Sequence, residues 1–301
     1  MNNTAIIQGS SAGPLLYILF SNDIIRLFKY CKCILYADDL ALTCCADNLN
    51  DLEHMINYDL AELEEYCRHF KLLINKIKTK YLLFNNRDLN PITLRIGDCT
   101  LERVRTFKYL GIIIDQNLTF ADHINFLLSR LSQISGVVFH ISWNFDFQAA
   151  ILFYNAYVFS IMNYGIEVWG GRLLTYKCNE LNNVIDRIIK NLMTTDVDHI
   201  RSELKLMRPT TLYKFRVLLM HYKIQFCGFL PTINFHERRV NYALRQGADL
   251  VVPFPKNNRT KMSYHYNVTG LWNQLTVGIK SSPTFESFKS KLKEYFHLTE
   301  L

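Results

Sequence analysis

The sequence is short of the residues that interrupt a fold, and its cysteines are not spaced to bridge it covalently. Its 301 residues hold 12 glycines and 7 prolines, and no low-complexity tract or internal repeat is present. The eight cysteines, at 31, 33, 44, 45, 67, 99, 178 and 227, include no C-x-x-C pair, and no histidine pair completes a zinc site. That argues against a structural zinc protein. Nor is their spacing a disulfide framework. Several lie in apolar runs, where cysteine behaves as a small hydrophobe, and they read as reduced thiols. No basic segment follows Met1, as a secretory leader requires. The longest apolar stretches, Pro14 to Phe20 and Ala149 to Met162, are too short for a bilayer or carry polar breaks. The expected location is nucleus or cytoplasm, with no membrane partner and no secretion.

What is present is an ordinary globular composition. The apolar fraction is 49%, too high for a disordered chain. Charge is nearly balanced, 34 basic against 27 acidic residues for a net +7. A modest positive excess suits a nucleic-acid partner without specifying one.

Periodicity divides the chain near residue 118 into a mixed α/β part and a helical part. After a Gly/Ser loop at Gln8 to Gly13, Pro14 opens a heavily apolar helix running to Phe28, which is expected to be buried. Residues 33–45 place an acidic pair between two apolar runs and read as strand, tight turn, strand. Residues 50–70 read as an amphipathic helix, capped by Asn50, with acidic residues on its outer face. Tyr81 to Phe84 reads as a strand. Ile92, Leu94 and Ile96 lead into a hairpin turned at Gly97-Asp98, and Phe107 to Ile114 is a strand broken by Gly111. Thr119 and Asp122 have capping-box spacing. Helices are predicted over 121–141, 147–162, 175–194 and 209–226. The stretch from about 230, with most of the prolines, reads as irregular up to a terminal helix, Thr284 to Phe296.

The chemistry centres on Asp38 and Asp39. Adjacent carboxylates at an exposed turn repel each other, and a divalent cation removes the repulsion. Mg²⁺ prefers such hard oxygen ligands. Two ions about 3.5–4 Å apart can activate an attacking hydroxyl and stabilise the leaving oxygen in phosphoryl transfer. Taken alone, however, Asp-Asp is also a common turn pair.

The flanking segments decide between these readings. Gln8-Gly9-Ser10-Ser11-Ala12-Gly13-Pro14-Leu15-Leu16-Tyr17, followed by Asn22-Asp23-Ile24, resembles a conserved block of reverse transcriptases from non-LTR retrotransposons. Tyr36-Ala37-Asp38-Asp39 resembles the catalytic box that follows it. Leu73-Ile74-Asn75 with Lys78-Thr79-Lys80, and then Phe107 to Ile112 with Asp115, resemble the next two blocks. Asn163-Tyr164-Gly165 with Glu167-Val168-Trp169-Gly170 is similar to the helical region of jockey-like elements. Leu271-Trp272-Asn273 and the Phe285 to Phe296 segment are similar to their carboxy-terminal tail.

The resemblance implies an α+β fold. It comprises an incomplete right-hand polymerase palm, helices on an antiparallel sheet, over 1–118, a helical thumb over 119–230 and a tail over 231–301. It implies Mg²⁺ (or Mn²⁺) held by Asp38 and Asp39, and Lys78 assisting the departing pyrophosphate. Gln8, Gly9, Ser10 and Tyr36 would lie beside nucleotide and template, and Tyr109, Leu110 and Gly111 would hold the primer end. The implied partners are an RNA template, a DNA primer and deoxynucleotides. Lys71, Lys76, Lys80, Arg103, Arg105 and Lys108, with Arg130, Arg172, Lys177, Arg187 and Lys190, are candidates for phosphate contacts.

In the family, a strand with a third metal-binding aspartate precedes the Gln-Gly-Ser loop, and the fingers lie further upstream. Residues Met1 to Ile7 contain no acidic side chain, and Ile7 stands where the family has proline. The chain without its amino-terminal polymerase half is therefore expected not to polymerise by itself. Apolar surface on the Leu15–Phe28 helix and the Ile34–Leu42 hairpin is expected to be exposed. The alternative to a polymerase fragment is an inactive retroelement remnant, at most a nucleic-acid-binding module.

Overall fold

The computed structural model describes residues 12–84, 92–174, 176–193, 196–229, 249–254 and 263–300. The chain divides into two units, Met1–Phe107 and Lys108–Leu301.

The first unit mixes helices with two-stranded ribbons. Helix α1 (Gly13–Ser21) takes Pro14 in its first turn and passes into a 3-10 turn, Asn22–Arg26. Strands β1 (Lys32–Tyr36) and β2 (Asp39–Thr43) form an antiparallel hairpin. Helix α2 (Leu49–His69) follows, then β3 (Lys80–Tyr81), β4 (Arg95–Ile96), β5 (Cys99–Thr100) and β6 (Glu102–Arg103). The β4–β5 hairpin turns at Gly97-Asp98, as its sequence predicts, with Gly97 at φ +56°. Three expectations need correction. The cap of α2 is Asn48, whose side chain accepts from the Asp51 N–H at 2.8 Å, not Asn50. The strand predicted over 81–84 is reduced to Lys80–Tyr81, and it pairs parallel to β6 as a separate two-stranded ribbon, so the described strands form ribbons that are not all antiparallel.

The third correction concerns α1. Leu15 and Leu19 are 61% and 65% exposed, and Leu16, Ile18, Ile25 and Ile34 are exposed as well. The helix is not buried, and the expected apolar surface on helix and hairpin is present. The unit's buried clusters are small. Leu60, Ile92, Leu94, Ile96 and Leu101 form one, and Ile24, Leu63, Tyr66 and Cys67 form the other.

The division between units falls within β7 (Thr106–Tyr109), which forms a hairpin with β8 (Ile112–Asp115). The predicted broken strand is thus a hairpin, turned at Leu110-Gly111. Helix α3 (Ala121–Ile141) matches its predicted span. The expected capping box does not form. Phe120 occupies the cap with a left-handed backbone, and Asp115 captures the N–H groups of Asn117, Thr119 and Phe120. A three-residue offset was a cue to the right helix start but the wrong acceptor.

The second unit is otherwise helical. Helix α4 (Phe147–Phe153) continues through one wide π-type turn, Tyr154–Phe159, into α5 (Ser160–Asn163). Short α6 (Ile166–Trp169), α7 (Cys178–Met193), α8 (Val197–Leu204) and α9 (Pro209–Phe226) follow. Beyond residue 230, helices α10 (Tyr264–Gln274) and α11 (Val277–Lys280) precede α12 (Phe285–Glu300), so this stretch is more regular than predicted. One core joins them all, including Leu131, Trp169, Ile188, Tyr213, Leu218, Trp272 and Phe288. No single described helix is long and apolar enough to cross a membrane.

Two histidines sit inside this core. The His123 Nδ1 atom accepts the Ile113 N–H at 3.4 Å, and His221 lies edge-on to Trp272, centroids 4.6 Å apart. Burial, reinforced by Lys108, pushes His123 down to about 4. Burial, reinforced by His265, does the same to His221, also to about 4. Both are neutral when folded but titrate near 6.5 when the chain unfolds. Between those values the unfolded chain binds more protons. Stability is therefore complete above pH about 6.5 and is lost as pH falls toward about 4. Thermal melts across that range are expected to show a falling midpoint, with part of the slope removed in His221→Leu. A midpoint independent of pH there would contradict this account.

Candidate active site

The position of the acidic pair is set by the hairpin. Register pairs Tyr36 with Asp39, leaving Ala37 and Asp38 as the two turn residues. A two-residue turn matches strand twist when its first central residue has positive φ. Ala37 takes that conformation, φ +51°, although a side chain there costs about 1–2 kcal/mol. Asp38 therefore sits at the tip and Asp39 opens the return strand. Both are exposed, and so is Tyr36.

One contact fixes this tip and another the base of its hairpin, and neither was among the predicted site residues. The Tyr17 hydroxyl on α1 donates to the Ala37 carbonyl at 3.2 Å. Burial and then the nearby Asp38 charge raise the Tyr17 pKa, which keeps that hydroxyl a donor. The other contact is Asp59 on α2, fully buried. Its carboxylate accepts the N–H groups of Lys29 (2.9 Å), Tyr30 (3.0 Å) and Cys31 (2.6 Å), the residues that lead into β1. Burial opposes its charge, but those donors outweigh burial and hold the pKa below the usual carboxylate range. Asp59 is thus an exception to the outer acidic face expected of α2. The signal was available: Ile56, Asp59 and Leu63 fall at helical spacing, which puts Asp59 on the apolar stripe.

Lys78 lies exposed in the turn 76–78, whose backbone is held by Asn75. Among the described residues, no ion pair or hydrogen bond joins its side chain to Asp38 or Asp39. Gln8, Gly9 and Ser10 lie outside the described residues. Among those described, no group of three or more His, Cys, Asp or Glu side chains converges on a metal-sized site. Asp38 and Asp39 supply hard oxygen donors suited to Mg²⁺, two of the six positions that ion fills. Of the basic residues, Lys76 is paired with Glu64 at 3.0 Å and Lys80 with Glu102, so their charge is partly spent within the fold.

In the second unit, Tyr109 ends β7 and Leu110 and Gly111 form the β7–β8 turn, and the later Asn163-Tyr164-Gly165 motif is what seats it. The Tyr164 hydroxyl donates to the Leu110 carbonyl at 2.7 Å. Gly111 has φ +81°, and a Cβ there would approach the Tyr164 ring to 3.1 Å. Gly165 has φ +57°, and a Cβ there would meet Ile112 Cδ1 at 2.6 Å. Each motif thus needs its glycine for the other to approach. Beside the turn is a cleft of about 320 Å³ whose lining includes Lys108, Gly111, His123, Phe126, Arg130 and Tyr164. Lys108 lies over the Phe126 ring, 5.2 Å from its centroid.

Replacing Asp59 with Asn would set an amide NH₂ among three backbone donors. Hydrogen bonds to charged acceptors contribute about 1.5–3 kcal/mol each. Asp59→Asn is expected to cost the first unit roughly 2–4 kcal/mol in urea unfolding and to speed amide exchange across Lys32–Thr43. Unchanged exchange there would show that Asp59 does not hold the hairpin.

Comparison with known proteins agrees with the motif reading. The family model described as "Reverse transcriptase (RNA-dependent DNA polymerase)" matches residues 2–114. The probable RNA-directed DNA polymerase from transposon BS of Drosophila melanogaster is 30% identical over 54% of this chain, which is 19% of that protein. The probable RNA-directed DNA polymerase from transposon X-element of the same fly is 29% identical over 41% of the chain and 14% of its own length. The polymerase from mobile element jockey of Drosophila funebris is 30% identical over 40% and 14%. The matched region thus spans less than a fifth of these three relatives. No solved structure matches. Residues 2–114 are thus similar to the reverse transcriptase family, and the chain resembles part of the RNA-directed DNA polymerases of non-LTR retrotransposons.

Proposed function

We propose that this chain is the carboxy-terminal palm and thumb of an RNA-directed DNA polymerase of a non-LTR retrotransposon, joining deoxynucleotides to a DNA primer along an RNA template. The observation that carries this reading is the exposed Asp38-Asp39 pair at a hairpin tip, pinned through Tyr17 and Asp59, within a segment matched by the reverse transcriptase model. The proposed domains are a partial palm at 1–118, a thumb at 119–230 and a tail at 231–301, working in the nucleus or cytoplasm.

Asp38 and Asp39 hold Mg²⁺ or Mn²⁺ in this proposal. Such an ion would supply activation of a primer hydroxyl and neutralisation of phosphate charge. The chain's own residues orient and exclude. The positive-φ turn at Ala37 presents Asp38 outward. Tyr36 sits beside the pair, and Gln8, Gly9 and Ser10 line the nucleotide and template. Lys78 supports the departing pyrophosphate as a cationic clamp. The turn at Tyr109, Leu110 and Gly111 holds the primer end, with Lys108 and Arg130 of the adjoining cleft contacting phosphates.

The test is RNA-templated primer extension by the polymerase containing this chain, with binding of the primer–template measured in parallel. Asp38→Asn and Asp39→Asn are each expected to lower extension by at least about 100-fold while binding stays within about twofold of the parent. Lys108→Ala should instead weaken binding and lessen its salt dependence. Parental extension rates in both aspartate variants would refute the reading.

A further inference from the structure

The hairpin that carries the acidic pair also aligns two cysteines. Register pairs Lys32 with Thr43, and one further step sets Cys31 opposite Cys44. In an antiparallel ladder, hydrogen-bonded and non-hydrogen-bonded pairs alternate. A two-residue turn makes Tyr36 and Asp39 a hydrogen-bonded pair, so counting back from it makes Cys31 and Cys44 a non-hydrogen-bonded one. Opposed Cα atoms there lie about 4.5 Å apart with side chains turned toward each other. That spacing falls within the roughly 4.4–6.8 Å a disulfide spans.

The side chains bear this out. The Cys44 thiol reaches the Tyr30 carbonyl at 3.9 Å, which places it beside the residue preceding Cys31. The Asp59 carboxylate accepts the Cys31 N–H at 2.6 Å, and Cys44 and Asp59 are both electrostatic neighbours of the Cys31 thiol. Cys31 is 8% exposed, whereas Cys44 is half-buried and reachable. Cys45, the adjacent thiol, is exposed and belongs to no such pair.

We propose that Cys31 and Cys44 form a reversible cross-strand disulfide, made by exchange with an oxidised low-molecular-weight disulfide such as glutathione disulfide. The reachable Cys44 thiolate attacks one sulfur of that reagent, forming a mixed disulfide. The released thiolate takes up the proton that Cys44 gave up. The Cys31 sulfur then displaces the second small thiol, which leaves with the Cys31 proton. Two protein thiols and one small disulfide become one protein disulfide and two small thiols, so no other oxidant is needed. Burial, with Asp59 beside it, raises the Cys31 pKa. Cys31 is therefore a slow second nucleophile, and a mixed disulfide at Cys44 should precede the cross-link. The bond closes residues 31–44 into a ring, with Asp38 and Asp39 at the end opposite the sulfurs. It tethers both strand ends where Asp59 already binds one. The geometry is independent of whether the chain polymerises.

The test uses the native full chain in buffers of varied glutathione redox ratio, alkylated before unfolding. Lys29 and Lys32 flank Cys31, so trypsin releases it apart from every other cysteine. The expected result is loss of two of the eight free thiols, recovery of the Cys31 fragment joined to Cys44, and reversal by excess reduced glutathione. Cys44→Ser should abolish the cross-link and Cys45→Ser should leave it. Amide exchange across Lys32–Thr43 should slow in the oxidised form. A free or merely glutathionylated Cys31 in oxidising buffer, or its recovery joined to another cysteine, overturns the proposal. The partner fragment, residues 33–68, also holds Cys33, Cys45 and Cys67, so tandem mass spectrometry of the wild-type linked fragments places the bond and decides the matter even if a variant folds poorly.

Discussion

The carboxylate of Asp59 is the constraint on which the first unit turns. Its cores are two small clusters, and burying one leucine-sized side chain gives about 1.5–3 kcal/mol. Three backbone N–H donors on one buried anion give a comparable sum, delivered at the entry to β1. A helix residue thereby dictates where a strand begins. From there the geometry is forced: the register fixes the turn, and the turn sets Asp38 at its tip. A charge buried without those donors would cost several kcal/mol. The contact therefore works only when Lys29, Tyr30 and Cys31 adopt the one path that satisfies it.

The second unit solves the same positioning problem with shape. Two turns approach each other closely because Gly111 and Gly165 carry no Cβ, and the Tyr164 hydroxyl closes the remaining gap to Leu110. The motifs lie some fifty residues apart in the chain. The π-type turn at 154–159 lies within the helix that ends at Asn163, just before Tyr164. Such a turn rotates everything after it relative to a regular helix, so it helps set the angle at which Tyr164 meets the hairpin.

Much of this was legible in the residues. The acidic hairpin, the Gly97-Asp98 turn and the spans of α3 and α9 follow from local pattern, because apolar period and turn chemistry act within a few residues. What was hidden depends on partners distant in sequence. Asp59 looks like one more helix acid until its backbone donors, Lys29, Tyr30 and Cys31, are known, and Tyr17 looks like one more apolar-face residue. The Thr119 capping box gave way to Asp115, which accepts the N–H groups of Asn117, Thr119 and Phe120 and leaves Phe120 at the cap. The helices at 264–280 were missed because prolines and basic residues obscure a stripe whose anchor, Trp272, packs against the distant α9 residues His221 and Phe226.

The exposed apolar face of α1 gives the strongest physical reason to treat the acidic pair as part of a larger site. Leu15, Leu16, Ile18 and Leu19 all face solvent on one short helix, the same helix whose Tyr17 holds the Ala37 carbonyl. Apolar exposure on that scale is unfavourable for an isolated surface and marks a contact region. A helix that touches the acidic turn on one side and offers aliphatic surface on the other couples the turn to whatever covers it. Covering α1 would restrict Tyr17, and through it Ala37 and Asp38. Geometry at the acidic pair then depends on packing outside the hairpin, which two exposed carboxylates on a two-residue turn cannot supply for themselves.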